Sequence, residues 1–168
     1  MVAKRLGVVS GFFLGLVLMI GVVQAGAAGS TKVLMFYNPP GTTSGVGFDA
    51  SNPNAIPPVG SSVIIRVRLQ NVGSQFGKPA GATVGRVLLD CTVLVVDTSA
   101  QTLDGICSGI AHVPDGYLTF VGNGGFGSAR VNYYAITGGV GPYANDRGEI
   151  KVVNNKNGSS VATVTLSS

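Results

Sequence analysis

Arg147 is the residue of this sequence with the clearest potential for chemistry. It follows a glycine-rich corner, residues 138–143 (GGVGPY), in which three glycines permit positive φ and the proline fixes the exit of the chain. An arginine just past such a corner can point into the mouth or lumen of a sheet. Its guanidinium would there bind a ligand carboxylate or stabilise negative charge on an oxygen. The alternative is an ion pair with Asp146 or Glu149.

Two aspartates on one predicted hairpin are candidate catalytic groups beside the arginine. Asp90 interrupts an apolar run, so its carboxyl faces either water or a pocket in which desolvation raises its pKa. If the apolar face of this hairpin packs against a neighbouring subunit, the polar face must line a lumen. That face also carries Asp104 and Thr92, and we expect Thr92 to contact substrate.

Three tyrosines are further candidates for substrate binding: Tyr133, Tyr134 and Tyr143. Consecutive residues of a strand point to opposite faces, so at most one of Tyr133 and Tyr134 lines a lumen. The single histidine, His112, has no evident nucleophile as a partner, and we expect it on the surface or in the core.

The elements that must position these residues are strands. Eight segments are rich in β-branched and aromatic residues and are separated by glycine, proline, asparagine and aspartate. Their short connections predict antiparallel neighbours, and eight such strands can close into an up-and-down β-barrel that holds one small ligand. A two-sheet sandwich is the alternative. Residues 38–60 form a long loop with five prolines, which we expect to be mobile or functional. The segments are 31–37, 62–71, 83–97, 101–113, 116–121, 127–137, 147–153 and 161–166.

The two cysteines are predicted to bridge the hairpin between the two longest strands. A turn at residues 98–100 places Cys91 directly opposite Cys107, at a Cα separation of roughly 4.5–5.5 Å that a disulfide can span. The same register assigns the hairpin's side chains to two faces. Asp90, Thr92, Asp104 and Ser108 share one face, while Leu89, Val93, Val95 and Leu103 share the other with the cysteines.

Residues 1–27 are predicted to be a cleaved secretory signal peptide, and residues 28–168 a single domain. Lys4 and Arg5 precede an apolar run over residues 6–23, and small residues at 25–28 offer a cleavage site. A retained membrane anchor is the alternative. Cleavage would leave a secreted or periplasmic protein with no stable membrane anchor, in an oxidising environment.

Composition and motifs argue against several classes of function. The formal charge of +4 falls to +2 once Lys4 and Arg5 are removed, and the remaining charges are scattered, so we expect no nucleic-acid partner. One histidine and two bridged cysteines offer no metal site. Residues 122–127 match G-x-G-x-x-G, but a strand follows rather than a helix, so we expect no dinucleotide and no other cofactor.

The chain resembles the dirigent and allene-oxide-cyclase barrel superfamily. Residues 138–148 (GGVGPYANDRG) are similar in spacing to the dirigent pattern G-G-T-G-x-F-x-x-A-R-G, and residues 34–37 (LMFY) resemble the first dirigent strand. Val140, Tyr143 and Asp146 depart from the pattern. Pro40 stands where the first dirigent strand ends in an aspartate, and Pro142 where some dirigent proteins carry an acidic residue. Both departures argue against plant-type phenoxy coupling.

The resemblance implies an eight-stranded barrel, usually a homotrimer, whose lumen binds a small apolar or phenolic molecule. It also implies a stereoselective cyclisation or isomerisation in which the protein restricts conformations, with Arg147 as the anchor. A lipocalin-like binding protein and a secreted structural protein are the alternatives. Polar groups converging near Arg147 would favour the first function, a purely apolar lumen the second, and a lumen filled by its own side chains the third.

Overall fold

The computed structural model describes residues 30–47, 55–127 and 130–168. The predicted signal peptide, residues 1–27, lies outside the described residues, as does the 48–54 part of the long loop. Within the described ranges no helix is long and apolar enough to cross a membrane.

The described chain is almost entirely β-structure. One short 3₁₀ turn, Gly141–Tyr143, interrupts it. The strands are β1 Thr31–Asn38, β2 Ser44–Val46, β3 Ser62–Asn71, β4 Thr83–Asp97, β5 Thr102–Val113, β6 Gly116–Phe126, β7 Val131–Val140, β8 Arg147–Asn154 and β9 Ser160–Ser167.

The strands close into an antiparallel barrel. From β3 to β9 each strand pairs with the next in the chain, and β9 pairs with β1. The ring closes where Phe36 and Tyr37 of β1 pair with Asn71 and Gln70 of β3. The short β2 pairs further along β3, so β1 and β2 together act as one interrupted wall strand. The predicted eight-stranded up-and-down barrel is therefore confirmed, and the two-sheet sandwich is not the fold.

The side chain of Gln75 completes the short seam between β1 and β3. Its Nε2 donates a hydrogen bond of 2.6 Å to the Met35 carbonyl, and the Met35 N–H donates one of 3.1 Å to its Oε1. Asn71 holds the loop that carries Gln75, since its Nδ2 donates to the carbonyls of Gln75 and Lys78. A side-chain amide thus replaces the peptide group that a longer ladder would supply.

The β4–β5 hairpin has the predicted register around its cysteines. Cys91 pairs with Cys107, and the two form a disulfide with a Cα–Cα separation of 4.0 Å. Both cysteines are buried on the inner face of the barrel. The predicted disulfide is confirmed.

Nearer the turn the predicted register of this hairpin is wrong. A β-bulge at Leu94 shifts the pairing, so that Asp104 lies opposite Val95 rather than opposite Leu94. The turn has four residues, 98–101, rather than three, and Gln101 adopts a φ of 51°. As a result Val95 is 56% exposed on the outer face instead of sharing the inner face with the cysteines.

Strand β6 extends through the glycine run 122–125 to Phe126, beyond its predicted end. Gly124 faces the interior, where an added Cβ would overlap the Sγ of Cys107 and lie 3.2 Å from the hydroxyl of Tyr134. These glycines therefore make room for the disulfide and for an inward tyrosine. Close packing around these positions therefore accounts for the G-x-G-x-x-G match.

Candidate functional site

The barrel encloses a lumen of about 320 Å³. This volume lies near the lower end of the roughly 300–1,000 Å³ that small-molecule sites occupy. The lumen is therefore not filled by its own side chains. Most of its wall is apolar, and the apolar lining includes Phe36, Ile65, Val67, Val87, Leu89, Ala111, Leu118, Phe120, Ile150, Val152, Ala162 and Val164.

Neutral polar side chains gather at one end of the lumen, where β1, β6 and β8 end and β7 and β9 begin. Asn132 accepts a hydrogen bond of 2.9 Å from the N–H of Gly125 and donates one of 3.0 Å to its carbonyl. Asn38 donates to the hydroxyl of Thr43 and accepts from that of Thr42. We call this group the polar rim. It consists of Asn38, Thr43, Asn132, Asn154, Asn155, Ser159 and Ser160.

Tyr134 is the next inward residue after Asn132 on β7, and its hydroxyl lies close to Gly124 of β6, beside the polar rim. Its side chain is 6% exposed, and its ring meets that of Phe120 edge-on at a centroid distance of 5.4 Å. Burial raises the pKa of Tyr134 to about 12. A side-chain hydrogen bond with Asn132 has a smaller effect and lowers the pKa. The hydroxyl is therefore a neutral hydrogen-bond donor at physiological pH.

No charged side chain lines the lumen among the residues that the structure describes. Strand alternation places the charges outside: Arg66, Arg68 and Lys151 are all exposed. His112 also lies on the outer side, with its ring 5.8 Å from that of Tyr117. Within the same described ranges no cluster of histidine, cysteine and carboxylate groups could hold a metal ion.

Arg147 does not face the lumen, and its predicted placement is wrong. The inward positions at the start of β8 are Gly148 and Ile150, so Arg147 points outward and is exposed. Its Nη1 donates a hydrogen bond of 2.9 Å to the carbonyl of Asp146. Among the described residues it makes no ion pair with Asp146 or Glu149 either. The corner does turn the chain, but strand phase aims the side chain away from the cavity.

The predicted placement of the polar face of the β4–β5 hairpin in the lumen is also wrong. Asp90 is exposed and accepts a hydrogen bond of 2.6 Å from the hydroxyl of Ser62, and Thr92 is exposed beside it. Asp104 forms an ion pair with Arg130 on the outer side. The disulfide and the apolar residues take the inner face, and strand alternation then forces these polar groups outward.

The other two candidate tyrosines lie away from the lumen. Tyr133 is 51% exposed, with the Lys151 ammonium 6.0 Å from its ring centroid. Tyr143 is fully buried at the end of the barrel opposite the polar rim, with the Lys32 ammonium 4.7 Å from its ring centroid. Burial first, and the Asp115 carboxylate second, raise the pKa of Tyr143 to about 12. The GGVGPY corner thus buries the side chain of Tyr143 at the end of the barrel opposite the polar rim.

The polar rim was not predicted from the sequence. Asn132, Tyr134 and Ile136 occupy alternate positions of one strand, so the period of two does place Asn132 on the same face as Tyr134. Asn38 and Ser160 lie at strand ends, where asparagine and serine usually signal only a turn. Nothing local in the sequence distinguishes them from ordinary turn residues.

The fold is that of the dirigent-like barrels. A pyocyanin demethylase is 24% identical with a TM-score of 0.55, over 82% of this chain and 99% of that chain. A pterocarpan synthase dirigent protein is 17% identical with a TM-score of 0.55, over 83% and 89%. A Diels-Alderase from Streptomyces koyangensis is 15% identical with a TM-score of 0.52, over 85% and 70%. No protein-family model and no curated protein matches the chain.

Proposed function

We propose that this protein binds one small apolar molecule in its lumen and guides a stereoselective cyclisation or isomerisation of it. The observation that carries the proposal is the unfilled, mostly apolar lumen of about 320 Å³ with neutral polar groups at one end. A flexible precursor held there would keep few of its conformers. Restricting the reacting groups to one arrangement can by itself supply a large part of a rate enhancement.

Tyr134 and Asn132 are the residues that we assign to orienting the substrate. Both face inward on β7, and they combine a hydroxyl with an amide next to an apolar wall. The same fold occurs in a protein named as a Diels-Alderase, which is an enzyme of ring formation. Arg147, Asp90 and Asp104 have no part in this proposal, because their side chains lie outside the lumen.

A second candidate function is binding without chemistry, in the manner of a lipocalin. It is favoured by the lack of a charged side chain among the described lining residues. Such a lumen offers no strong acid or base, and general acid–base catalysis needs a group whose pKa lies near the working pH. The two functions differ in whether the product of a reaction inside the lumen is enriched in one enantiomer.

Binding is tested with a matched pair of lumen and surface variants. Ala162 lines the lumen, whereas Ala135 is exposed on the outer face of β7. Fluorescence titration with the neutral probe N-phenyl-1-naphthylamine should show binding to the wild type and to Ala135→Trp. Ala162→Trp should weaken binding about tenfold or more, because the indole occupies the cavity. Circular dichroism checks the fold of each variant, and Val152→Phe is the alternative if Ala162→Trp does not fold.

Guidance of a reaction is tested with 2′-hydroxychalcone, an achiral compound that closes spontaneously to a racemic flavanone. Chiral chromatography should show an excess of one enantiomer with the wild type and a racemate with Ala162→Trp. A racemate from a wild type that still binds the fluorescent probe would count against guidance and for binding alone. A wild type that binds no probe would refute both functions.

The proposal extends to a homotrimer that is secreted or periplasmic. Ile64, Ile106 and Val121 are 50%, 54% and 38% exposed on the outer face of β3, β5 and β6, which gives copies of the chain an apolar surface to bury. The disulfide fits an oxidising compartment. Sedimentation equilibrium of the secreted chain should give three times the monomer mass, and a monomer would refute the trimer.

A further inference from the structure

We propose that the lumen selects an electrically neutral ligand with a hydrogen-bond acceptor, such as a ketone or ester carbonyl, which the hydroxyl of Tyr134 binds. It would exclude a carboxylate of the same shape. This inference rests on the proposed binding role of the lumen and names the chemical class of its ligand.

The described lining of the lumen offers no cation to meet a carboxylate. No lysine, arginine or histidine lines it among the described residues. The internal stretches outside the description, residues 48–54 (FDASNPN) and 128–129 (SA), contain none of these residues in the sequence. Lys32 lies against Tyr143 at the opposite end of the barrel, and Arg147 points outward. An ionised carboxylate buried without a partner is strongly disfavoured.

Backbone dipoles do not replace the missing cation. Across the described ranges the helical structure is limited to the 3₁₀ turn Gly141–Tyr143, which lies at the end of the barrel away from the polar rim. Most of the described lumen wall consists of paired strands, whose N–H groups are used in the ladders. The described part of the lumen therefore has no helix N-terminus whose free N–H groups could bind an anion.

Tyr134 offers a neutral acceptor a hydrogen-bond donor on a buried ring that lines the lumen. The amide of Asn132 is engaged with both the N–H and the carbonyl of Gly125, and that of Asn38 with Thr42 and Thr43. These amides shape the polar rim and are held by the protein itself. The hydroxyl of Tyr134 lies on a buried ring beside the Asn132 amide, and it stays protonated because burial raises its pKa to about 12.

Edge-to-face contact with Phe120 and the close approach of Gly124 limit where the ring of Tyr134 can move. The donor therefore has a fixed position relative to the apolar wall. A ligand would match the apolar wall by placing an apolar body in the lumen, and it would match the donor by placing a carbonyl oxygen at the Tyr134 hydroxyl.

Three naphthalenes of matched shape test this selectivity: 2-acetylnaphthalene, 2-naphthoate and 2-isopropylnaphthalene. Each competes with N-phenyl-1-naphthylamine at about pH 7, where a carboxylic acid is ionised. The ketone should bind about tenfold or more tightly than the carboxylate. Tyr134→Phe should weaken the ketone by about threefold to tenfold and leave the hydrocarbon unchanged, as the loss of one hydrogen bond requires. Tyr133→Phe, on the outer face, is the control and should change neither.

A carboxylate that binds as tightly as the ketone would overturn the proposal while leaving lumen binding intact. Equal weakening of the ketone and the hydrocarbon by Tyr134→Phe would also overturn it, since that result indicates a packing role. A protein that binds neither the probe nor any naphthalene would refute the proposed function, and this inference with it. Lowering the pH toward about 4, where the acid becomes neutral, should strengthen the binding of 2-naphthoic acid.

Discussion

Tyr133 and Tyr134 are consecutive in the chain but lie on opposite sides of the barrel wall. Tyr134 is 6% exposed and lines the lumen, whereas Tyr133 is 51% exposed on the outer surface. Two side chains of the same type thus have opposite surroundings at nearly the same height of the barrel. The pair offers a matched comparison, in which only the inner residue should affect a ligand.

The two buried tyrosines should make the fold sensitive to alkaline pH. Burial raises the pKa of Tyr134 and of Tyr143 to about 12, so the folded state keeps two protons that the unfolded state loses near pH 10. The stability that they contribute is complete below about pH 10 and is lost as the pH rises to about 12. Urea unfolding over this range should show the decline, and Tyr134→Phe should reduce it. Phenolate absorbance from both residues in a folded barrel of unchanged stability would contradict this expectation.

Gly124→Ala should destabilise the barrel by about 1–3 kcal/mol, the usual cost of overpacking a core. The added methyl group would overlap the Sγ of Cys107 and crowd the hydroxyl of Tyr134. Gly73→Ala is the matched control, because nothing lies within 4 Å of a Cβ at that position. Thermal unfolding measures both variants. A Gly124→Ala protein as stable as the control would show that the glycine run is not required by packing.

Gln75→Ala should loosen the seam between β1 and β3 and cost about 1–2 kcal/mol. The change removes the two hydrogen bonds that Gln75 makes with the backbone of Met35, whose carbonyl still accepts a bond of 3.3 Å from the Val72 N–H. Hydrogen exchange should become faster at the Met35 amide and much less so in the β4–β5 hairpin. Ser74→Ala, at the neighbouring exposed position, should leave that amide protected. Unchanged exchange at Met35 in Gln75→Ala would refute the bridging role.

Replacing both Cys91 and Cys107 with alanine should lower the free energy of unfolding by about 3 kcal/mol. The disulfide joins residues 16 apart in sequence, and a loop of about 15 residues predicts this loss of constraint on the unfolded chain. Both sulfurs are buried, so reductant should act only after unfolding. Urea titration of the variant and alkylation of the reduced wild type measure the two effects. Rapid alkylation under native conditions would contradict the burial.

Arg147→Ala should leave binding of N-phenyl-1-naphthylamine within about twofold of the wild type. The side chain is exposed, and it donates a hydrogen bond to the carbonyl of Asp146. The same fluorescence titration with Ala162→Trp gives the contrasting loss. A large loss in Arg147→Ala would mean that the guanidinium reaches the ligand after all.

The sequence by itself predicted the strands, their antiparallel order, the barrel and the Cys91–Cys107 bridge. These properties follow from local patterns: a period of two, glycine-rich and proline-rich turns, and one hairpin register that aligns the cysteines. The predicted register of the β4–β5 hairpin was wrong near residue 94 because of a β-bulge, which no residue type there indicates.

Only the tertiary structure decided which face of each strand lies inside. Alternation divides a strand into two faces but does not say which becomes concave, because that depends on how the whole sheet curves and closes. The side chains of Asp90, Asp104 and Arg147 were therefore predicted on the inner side of the wall, whereas all three lie outside. The lumen wall brings together residues from strands far apart in the chain, Asn38 and Asn132 among them, and no local pattern in the sequence relates such positions.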